Sequence, residues 1–588
     1  MTFIKNFIII LAVSLTAAPV AVQAVEAQSS QTYSECRSLD QRKQSRSRHP
    51  QEALRNLGFT GFCIDDGQDP DVVESAKRGL NNINYALPFR GSSFPLALRP
   101  KFDEILAQIA PARSDTIDTS TAIGAYEVYG SLPSPRSRPG VPLGPVTIPV
   151  ANVGDSISNY KGAVGGQTNC FLCHAGVVAG SLHAGAMNTQ LDQLNLSVAL
   201  AGVLLASPAL LEENTLQSQL GSPTAAIERQ VFDTYLNRTR RIYLPTFSQS
   251  RAKGDNLGPF AVWRTFARYE GVGIEDIPAT TTAQLDSLFA GVDLPTVDSN
   301  AWWTYKYKES IYRFDDRSPD FSKHFATTFN QPGPDSNANH DEQVQIMDDV
   351  LAYIRQLPSP SYDRKIKWRR AARGAELFHG AEPIAAGGYL SCSGCHGSYI
   401  SEPDRYEVFY DADTGVVDVG TDSAYSDFLM TTGAAIADPI SDHLVRYFNG
   451  DQSYRIQTPE NSGYQPPPLD GSWASPPYFH NGSVPTLHAV LQSGTRPEYW
   501  QRSIHPDAYD HRKAGLRYRS LTARQVEALQ REASIAHPFS AETQLYRRVY
   551  DTTAFGKSNN GHAFGDAMNR RERADVIEFL KSLYDRQQ

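Results

Sequence analysis

Apolar side chains recur at helical spacing in two matching stretches of this 588-residue chain. In Asp349-Val350-Leu351-Ala352-Tyr353-Ile354-Arg355-Gln356-Leu357 they fall at i, i+1, i+3, i+4 and i+7 counted from Val350, and Asp575-Val576-Ile577-Glu578-Phe579-Leu580-Lys581-Ser582-Leu583 repeats the pattern from Val576. A stripe of this kind predicts an amphipathic helix buried along one face. Trp368 to Phe378 predicts a third helix, and Pro358-Ser359-Pro360 separates it from the first, because proline stops a helix and biases its predecessor to extended backbone. At the N-terminus Lys5 precedes the apolar run Phe7 to Val20, and Val22-Gln23-Ala24 offers a small-residue cleavage site. That is the layout of a secretory signal peptide over residues 1–24. The run is short for a membrane span and no other segment approaches 18 apolar residues, so no stable membrane span is expected. Leu132 to Val150, rich in Pro, Gly and Ser, reads as an extended linker or wrapping loop.

Two pentapeptides give these elements a chemistry. Cys170-Phe171-Leu172-Cys173-His174 and Cys392-Ser393-Gly394-Cys395-His396 are both Cys-x-x-Cys-His, the pattern in which two thiols add across the vinyl groups of a haem and the adjacent histidine becomes an axial iron ligand. With 6 Cys and 14 His in the chain, chance supplies such a pentapeptide on the order of 0.001 times. A zinc site wants four soft ligands gathered together, whereas these pairs lie over 200 residues apart. Two covalent c-type haems are therefore expected, with Cys170, Cys173, Cys392 and Cys395 as attachment residues and His174 and His396 on iron. Asp349 lies 179 residues after Cys170 and Asp575 lies 183 after Cys392, so motif and terminal helix form a unit that occurs twice.

The expected fold is mainly α, with two cytochrome c-type haem domains in tandem, an N-terminal extension and long loop insertions. The boundaries read as 1–24 signal peptide, 25–150 extension, 151–362 first haem domain and 363–588 second. Covalent haem attachment requires export, which agrees with the N-terminus and places the protein in the periplasm. In that oxidising compartment the two remaining cysteines, Cys36 and Cys63, either form one disulfide, worth roughly 3–4 kcal/mol in the chain-entropy model, or stay free. A formal net charge of −9 argues against a nucleic-acid partner.

With the repeated units in view, the chain resembles the bacterial dihaem cytochrome c peroxidase superfamily over roughly residues 160–588. The resemblance is carried by both Cys-x-x-Cys-His motifs, by Pro477-Tyr478-Phe479-His480-Asn481-Gly482-Ser483-Val484-Pro485-Thr486-Leu487, and by Gly561-His562-Ala563-Phe564-Gly565. Pro467-Pro468-Leu469-Asp470-Gly471-Ser472-Trp473 and the pair Trp302-Trp303 look closer still to the oxygenase branch of rubber oxygenases and dihaem fatty-acid dioxygenases. Calcium is implied by the resemblance alone.

A haem with two protein ligands carries electrons, and one with an open face reacts with dioxygen or peroxide. For the second haem the candidate sixth ligands are His562 and Met568, and the resemblance favours His562. For the first, the default reading of His183 is a polar loop histidine; superfamily peroxidases can place a distal histidine after their first motif, which offers the alternative that His183 closes or gates that face, although its spacing is short for that role. The resemblance places Trp303, or its neighbour Trp302, in a dry distal pocket at the first haem or between the two haems; the other reading of this aromatic cluster, which runs on through Tyr305, Tyr307, Phe314 and Phe321, is ordinary core. His480 reads as a structural residue, and Arg446 and Arg455 as candidates for haem propionates. The implied activity is addition of O2 to an unsaturated hydrocarbon chain, a fatty acid such as oleate first and polyisoprene second. The alternatives are a peroxidase fed by a small electron-transfer cytochrome and a non-enzymatic electron carrier; insertions far longer than a minimal module of about a hundred residues favour an enzyme.

Overall fold

The computed structural model describes residues 58–62, 64, 69–83, 94–95, 98, 155–160, 163–191, 220, 225–238, 295, 297–308, 320, 322–323, 340–402, 405–409, 415–435, 441–442, 445–446, 448–455, 461–535 and 545–584. The signal peptide, Cys36, Cys63, the 132–150 segment, Phe314 and Phe321 lie outside them.

Two helix pairs organise the described residues. In the first, α1 (Pro70–Asn81) packs on α3 (His340–Gln356); in the second, α4 (Trp368–Phe378) packs on α6 (Arg570–Lys581). Short helices α2 (Phe171–His174) and α5 (Ser393–His396) carry the ends of the two Cys-x-x-Cys-His motifs. The helices begin where their sequences say they should. Asp69 caps α1, its side chain accepting from the Asp71 N–H at 2.9 Å with Pro70 at the first helical position. Asn569 and Glu572 form a reciprocal capping box on α6.

The apolar stripes predicted from spacing face their partners. Val350, Tyr353, Ile354 and Leu357 meet Val73, Ala76 and Leu80 of α1 in the first core, and Val576, Ile577, Phe579, Leu580 and Leu583 meet Leu377 and Phe378 in the second. Burying each such side chain contributes about 1.5–3 kcal/mol. Leu357 and Leu583 stand just beyond their helix ends and are nonetheless fully buried, at 1% and 0% exposure.

The two pairs share one crossing device. A Cβ on Gly79 would lie 1.9 Å from the Asp349 carbonyl oxygen, and one on Gly374 would lie 2.1 Å from that of Asp575, so at each crossing the backbones touch through a glycine. The residue before each glycine is an arginine whose guanidinium grips the partner helix's aspartate with two hydrogen bonds: Arg78 to Asp349 at 2.9 and 2.9 Å, and Arg373 to Asp575 at 3.0 and 3.3 Å. Helix α1, which the sequence assigns to an N-terminal extension, thus belongs to the first core, and that core does not begin at residue 151. The strand β1 (Gly58–Thr60) joins it too, running parallel to β3 (Ser181–Ala184), which pairs antiparallel with β2 (Ala175–Val178) directly after the first motif.

Among the described residues, no helix is long and apolar enough to cross a membrane.

Candidate haem centres

Each motif closes a single helical turn. The His174 N–H donates to the Cys170 carbonyl at 3.0 Å, and the His396 N–H to the Cys392 carbonyl at 3.0 Å, which brings both sulfurs and the imidazole of each motif to one place. None of the four motif cysteines forms a disulfide. Burial pushes the Cys170 thiol up to about 12 and the Cys392 thiol to about 11, so an uncharged sulfur, as in a thioether, is the form these sites accept.

The first motif sits in the first core. Phe171 is fully buried between Phe62 (5.3 Å between ring centroids), Trp302 (5.7 Å) and Tyr353 (6.2 Å). Trp302 stacks on the His174 ring, 4.7 Å between centroids at 24°. Two backbone bonds hold that stack: the Gly185 N–H donates to the His174 carbonyl at 2.7 Å, and the Trp302 N–H to the Gly185 carbonyl at 2.9 Å. Burial drives the His174 pKa down to about 4, partly offset by the Asn300 backbone, so the ring is a neutral base. Trp302 therefore lies beside the candidate ligand, not across from it as a distal residue would. Trp303 is fully buried and donates its indole N–H to the Asp470 carbonyl at 2.9 Å, toward the segment that supports the second motif.

At the second motif His396 Nδ1 lies 2.9 Å from the Pro467 carbonyl, a bond that fixes the proton on Nδ1 and leaves Nε2 bare for a metal. Facing it is His562, 6.1 Å between ring centroids at 65°. This separation would accommodate one metal held by both rings, since metal–nitrogen bonds of about 2 Å plus the distance from nitrogen to ring centre give a centroid separation on the order of 6 Å. His562 Nδ1 is buried with no hydrogen-bond partner among the described residues. Burial, then the neighbouring His396, lowers the His562 pKa to about 4. Paired cysteines outside any disulfide, a bare ligand nitrogen and a facing imidazole with an orphaned nitrogen fit a covalently attached haem. Phe479 and Phe564 approach the His562 ring edge-on at 6.1 and 5.3 Å. Met568, the other candidate, is buried in the second core with its carbonyl accepting from Arg573.

Several other residues occupy places their spacing does not reveal. His183 lies on β3 and is only 5% exposed, edge-on to Trp473 at 6.1 Å; it is a strand residue in the core, not a polar loop histidine, because the hairpin after the motif folds inward. His480 stacks on Tyr464 at 3.8 Å while its carbonyl accepts from the Asp298 N–H at 2.7 Å. Arg446 is exposed, and Arg455 pairs with Asp442 at 2.7 Å on the surface. Among the described residues no cluster of three or more His, Cys, Asp or Glu is placed to hold a separate metal ion, so the calcium expectation acquires no residues. Arg496, which spacing gave no reason to select, holds the carbonyls around His562.

Residues 463–501 match a protein-family model described as RoxA-like, cytochrome c-like. The match supports the RoxA-like cytochrome c family. It covers Pro467, Asp470 and the Pro477–Leu487 segment, and it implies covalently bound haem in a haem-dependent redox protein. Two curated proteins of Sinorhizobium fredii are similar over shorter stretches: the uncharacterized protein y4iJ, 31% identical over 162 residues (25% of this chain, 22% of that protein), and the uncharacterized protein y4iM, 29% identical over 181 residues (28% and 38%). The matched stretches span well under half the length of either relative.

Proposed function

We propose that this protein is an exported, periplasmic c-type cytochrome with two haems in tandem domains, which adds dioxygen to an unsaturated hydrocarbon chain. The observation that carries this reading is an asymmetry. His396 has a facing imidazole in His562, whereas among the described residues the only ring in contact with His174 is Trp302, stacked beside it. A haem with one protein ligand offers iron on which a small oxidant reacts, and one with two ligands serves electron transfer and tuning. Chemistry is accordingly assigned to the first site, and the electronic supporting role to the second.

The residues around the first motif suit an apolar reaction. Trp302, Phe171 and Phe62 exclude water from the His174 side and fix its ring. Trp303 links this side to the Pro467–Gly471 segment. In net terms both oxygen atoms of one O2 enter the product. For a fatty acid such as oleate an allylic C–H bond breaks, a C–O bond forms and the hydrogen ends on the terminal oxygen, giving a hydroperoxide without external reductant. For polyisoprene one C=C is replaced by two C=O groups. Oleate is the preferred substrate.

The test is dioxygen uptake by the purified haem-loaded protein given oleate, without peroxide or electron donor, and with products read by mass spectrometry. Uptake with a product heavier by two oxygen atoms supports the reading. Absence of uptake with oleate and polyisoprene, together with peroxide-driven oxidation of a reduced small cytochrome, replaces it with a peroxidase.

A further inference from the structure

The His562 loop is held by one side chain. Arg496 has five N–H groups, and all five meet backbone carbonyls: Nε to Ala489 at 3.0 Å, Nη1 to Asn559 and Gly561 at 2.7 and 2.7 Å, and Nη2 to Val490 and His562 at 3.1 and 3.1 Å. The guanidinium also lies 4.9 Å from the centre of the Phe479 ring, whose edge meets His562. The loop itself is awkward. His562 adopts a left-handed φ of 44°, which a side-chain-bearing residue rarely takes, and a Cβ on Gly561 would lie 2.2 Å from the Gly420 carbonyl carbon. The His562 N–H is committed to the Val419 carbonyl at 2.8 Å, so this residue is pinned at its N–H by Val419 and at its carbonyl by Arg496. Among the described residues no carboxylate forms an ion pair with Arg496; Asp566, the acidic group acting on it through space, is engaged by the Ser493 N–H and hydroxyl.

We infer that Arg496 is the positioning residue of the second haem: its clamp on the Asn559, Gly561 and His562 carbonyls holds His562 opposite His396, and its charge, which no described carboxylate pairs directly, raises the haem's reduction potential. This rests on the reading that His396 and His562 share one iron. Reduction adds an electron, so a fixed positive charge nearby stabilises the reduced form. A lysine keeps the charge but has only three donors, and a glutamine keeps neither the charge nor the fork.

The experiment uses the full-length haem-loaded protein as wild type, Arg496→Gln, Arg496→Lys and His562→Ala. The readouts are the low-spin bis-histidine signature in electron paramagnetic resonance, the rate at which cyanide removes it, and the potential of that haem. His562→Ala is expected to abolish the signature. Arg496→Gln is expected to speed its removal at least tenfold and to lower the potential by about 59 mV, the one-electron equivalent of a tenfold change. Arg496→Lys should speed cyanide entry while leaving the potential near wild type, a split that a merely structural role does not produce. If His562→Ala keeps the signature, the two-histidine reading itself fails and this inference with it. If His562→Ala loses it while Arg496→Gln keeps wild-type rate and potential, the clamp alone is refuted. Should Arg496→Gln not fold, Arg496→Lys decides: wild-type cyanide entry overturns the inference.

Discussion

Replacing Gly374 by alanine tests whether the two helix pairs are held together by backbone contact. The added methyl would stand 2.1 Å from the Asp575 carbonyl oxygen and 2.9 Å from Phe579 Cβ, neither of which is a flexible chain end. Helices α4 and α6 must therefore part by about 1 Å, enough to forfeit a quarter to a half of each van der Waals contact across the crossing. The contacts at risk include Phe378 on Phe579, 5.2 Å between ring centroids, and overpacking of this kind costs typically 1–3 kcal/mol, here placed at about 3 because both neighbours are rigid. Alanine returns about 1 kcal/mol through its better helix propensity. The expected net loss is about 2 kcal/mol. Urea unfolding followed by far-ultraviolet circular dichroism should show a lower midpoint at unchanged slope. Gly415→Ala, where nothing lies within 4 Å of the added carbon, serves as the neutral control. A Gly374→Ala midpoint at or above wild type would refute the close-contact argument, and with it the matching claim for Gly79 against Asp349.

Other outcomes follow from single sites. Substituting Cys170 and Cys173 together by alanine, or Cys392 and Cys395, should leave one covalent haem in place of two, counted by mass spectrometry of the intact chain; retention of two in either variant contradicts the assignment of that motif. Trp303→Phe removes the indole N–H that donates to the Asp470 carbonyl in a buried setting, a loss of one hydrogen bond worth about 0.5–1.5 kcal/mol, measurable as a lowered unfolding midpoint. Burial and neighbouring cations lower His511 to about 4, and burial lowers His183 to about 4, against 6.5 for a free imidazole. Between these values the unfolded chain binds more protons than the folded one, so stability is full above pH 6.5 and falls as pH drops toward 4, by up to about 1.4 kcal/mol per pH unit per group. Urea midpoints across that range should fall with pH, and His511→Gln should flatten the slope; an unaltered slope removes His511 from the account.

Much of the architecture was legible because it rests on local signals. The stripes at Val350–Leu357 and Val576–Leu583 face cores as their period requires, and Trp368–Phe378 is a helix with the bounds its pattern predicts. What stayed hidden depends on pairing between distant residues. Helix α1 belongs to the first core through Gly79 and Asp349, 270 positions apart, and only the repeated Arg-Gly dipeptides at 78–79 and 373–374 signal it in the chain. His562 was selected by residue type and resemblance; Met568 is separated from it by the His562 ring's place opposite His396, which no spacing reveals. Arg496 acts only through backbone carbonyls, and a carbonyl has no side-chain identity to read.

The segment from Pro467 to Trp473, which lies within the residues that match the family model, links the two candidate centres. The Pro467 carbonyl orients His396, the Leu469 N–H donates to Tyr399 Oη at 2.7 Å, the Asp470 carbonyl accepts from Trp303, and the Gly471 N–H donates to the Leu583 carbonyl at 2.8 Å. Trp473 then returns to the first core, its indole N–H donating to the Pro360 carbonyl at 2.8 Å. Seven residues thus touch the second motif's histidine, the terminal helix of the second pair and the tryptophan next to the one stacked on His174. Any displacement of this strut moves Trp303 and the Pro467 carbonyl together, so the environments of His174 and His396 are mechanically coupled through backbone hydrogen bonds. A substitution that bends it, such as proline at Leu469, whose N–H is committed to Tyr399, should disturb both centres at once, whereas damage confined to the His562 loop should alter the second alone.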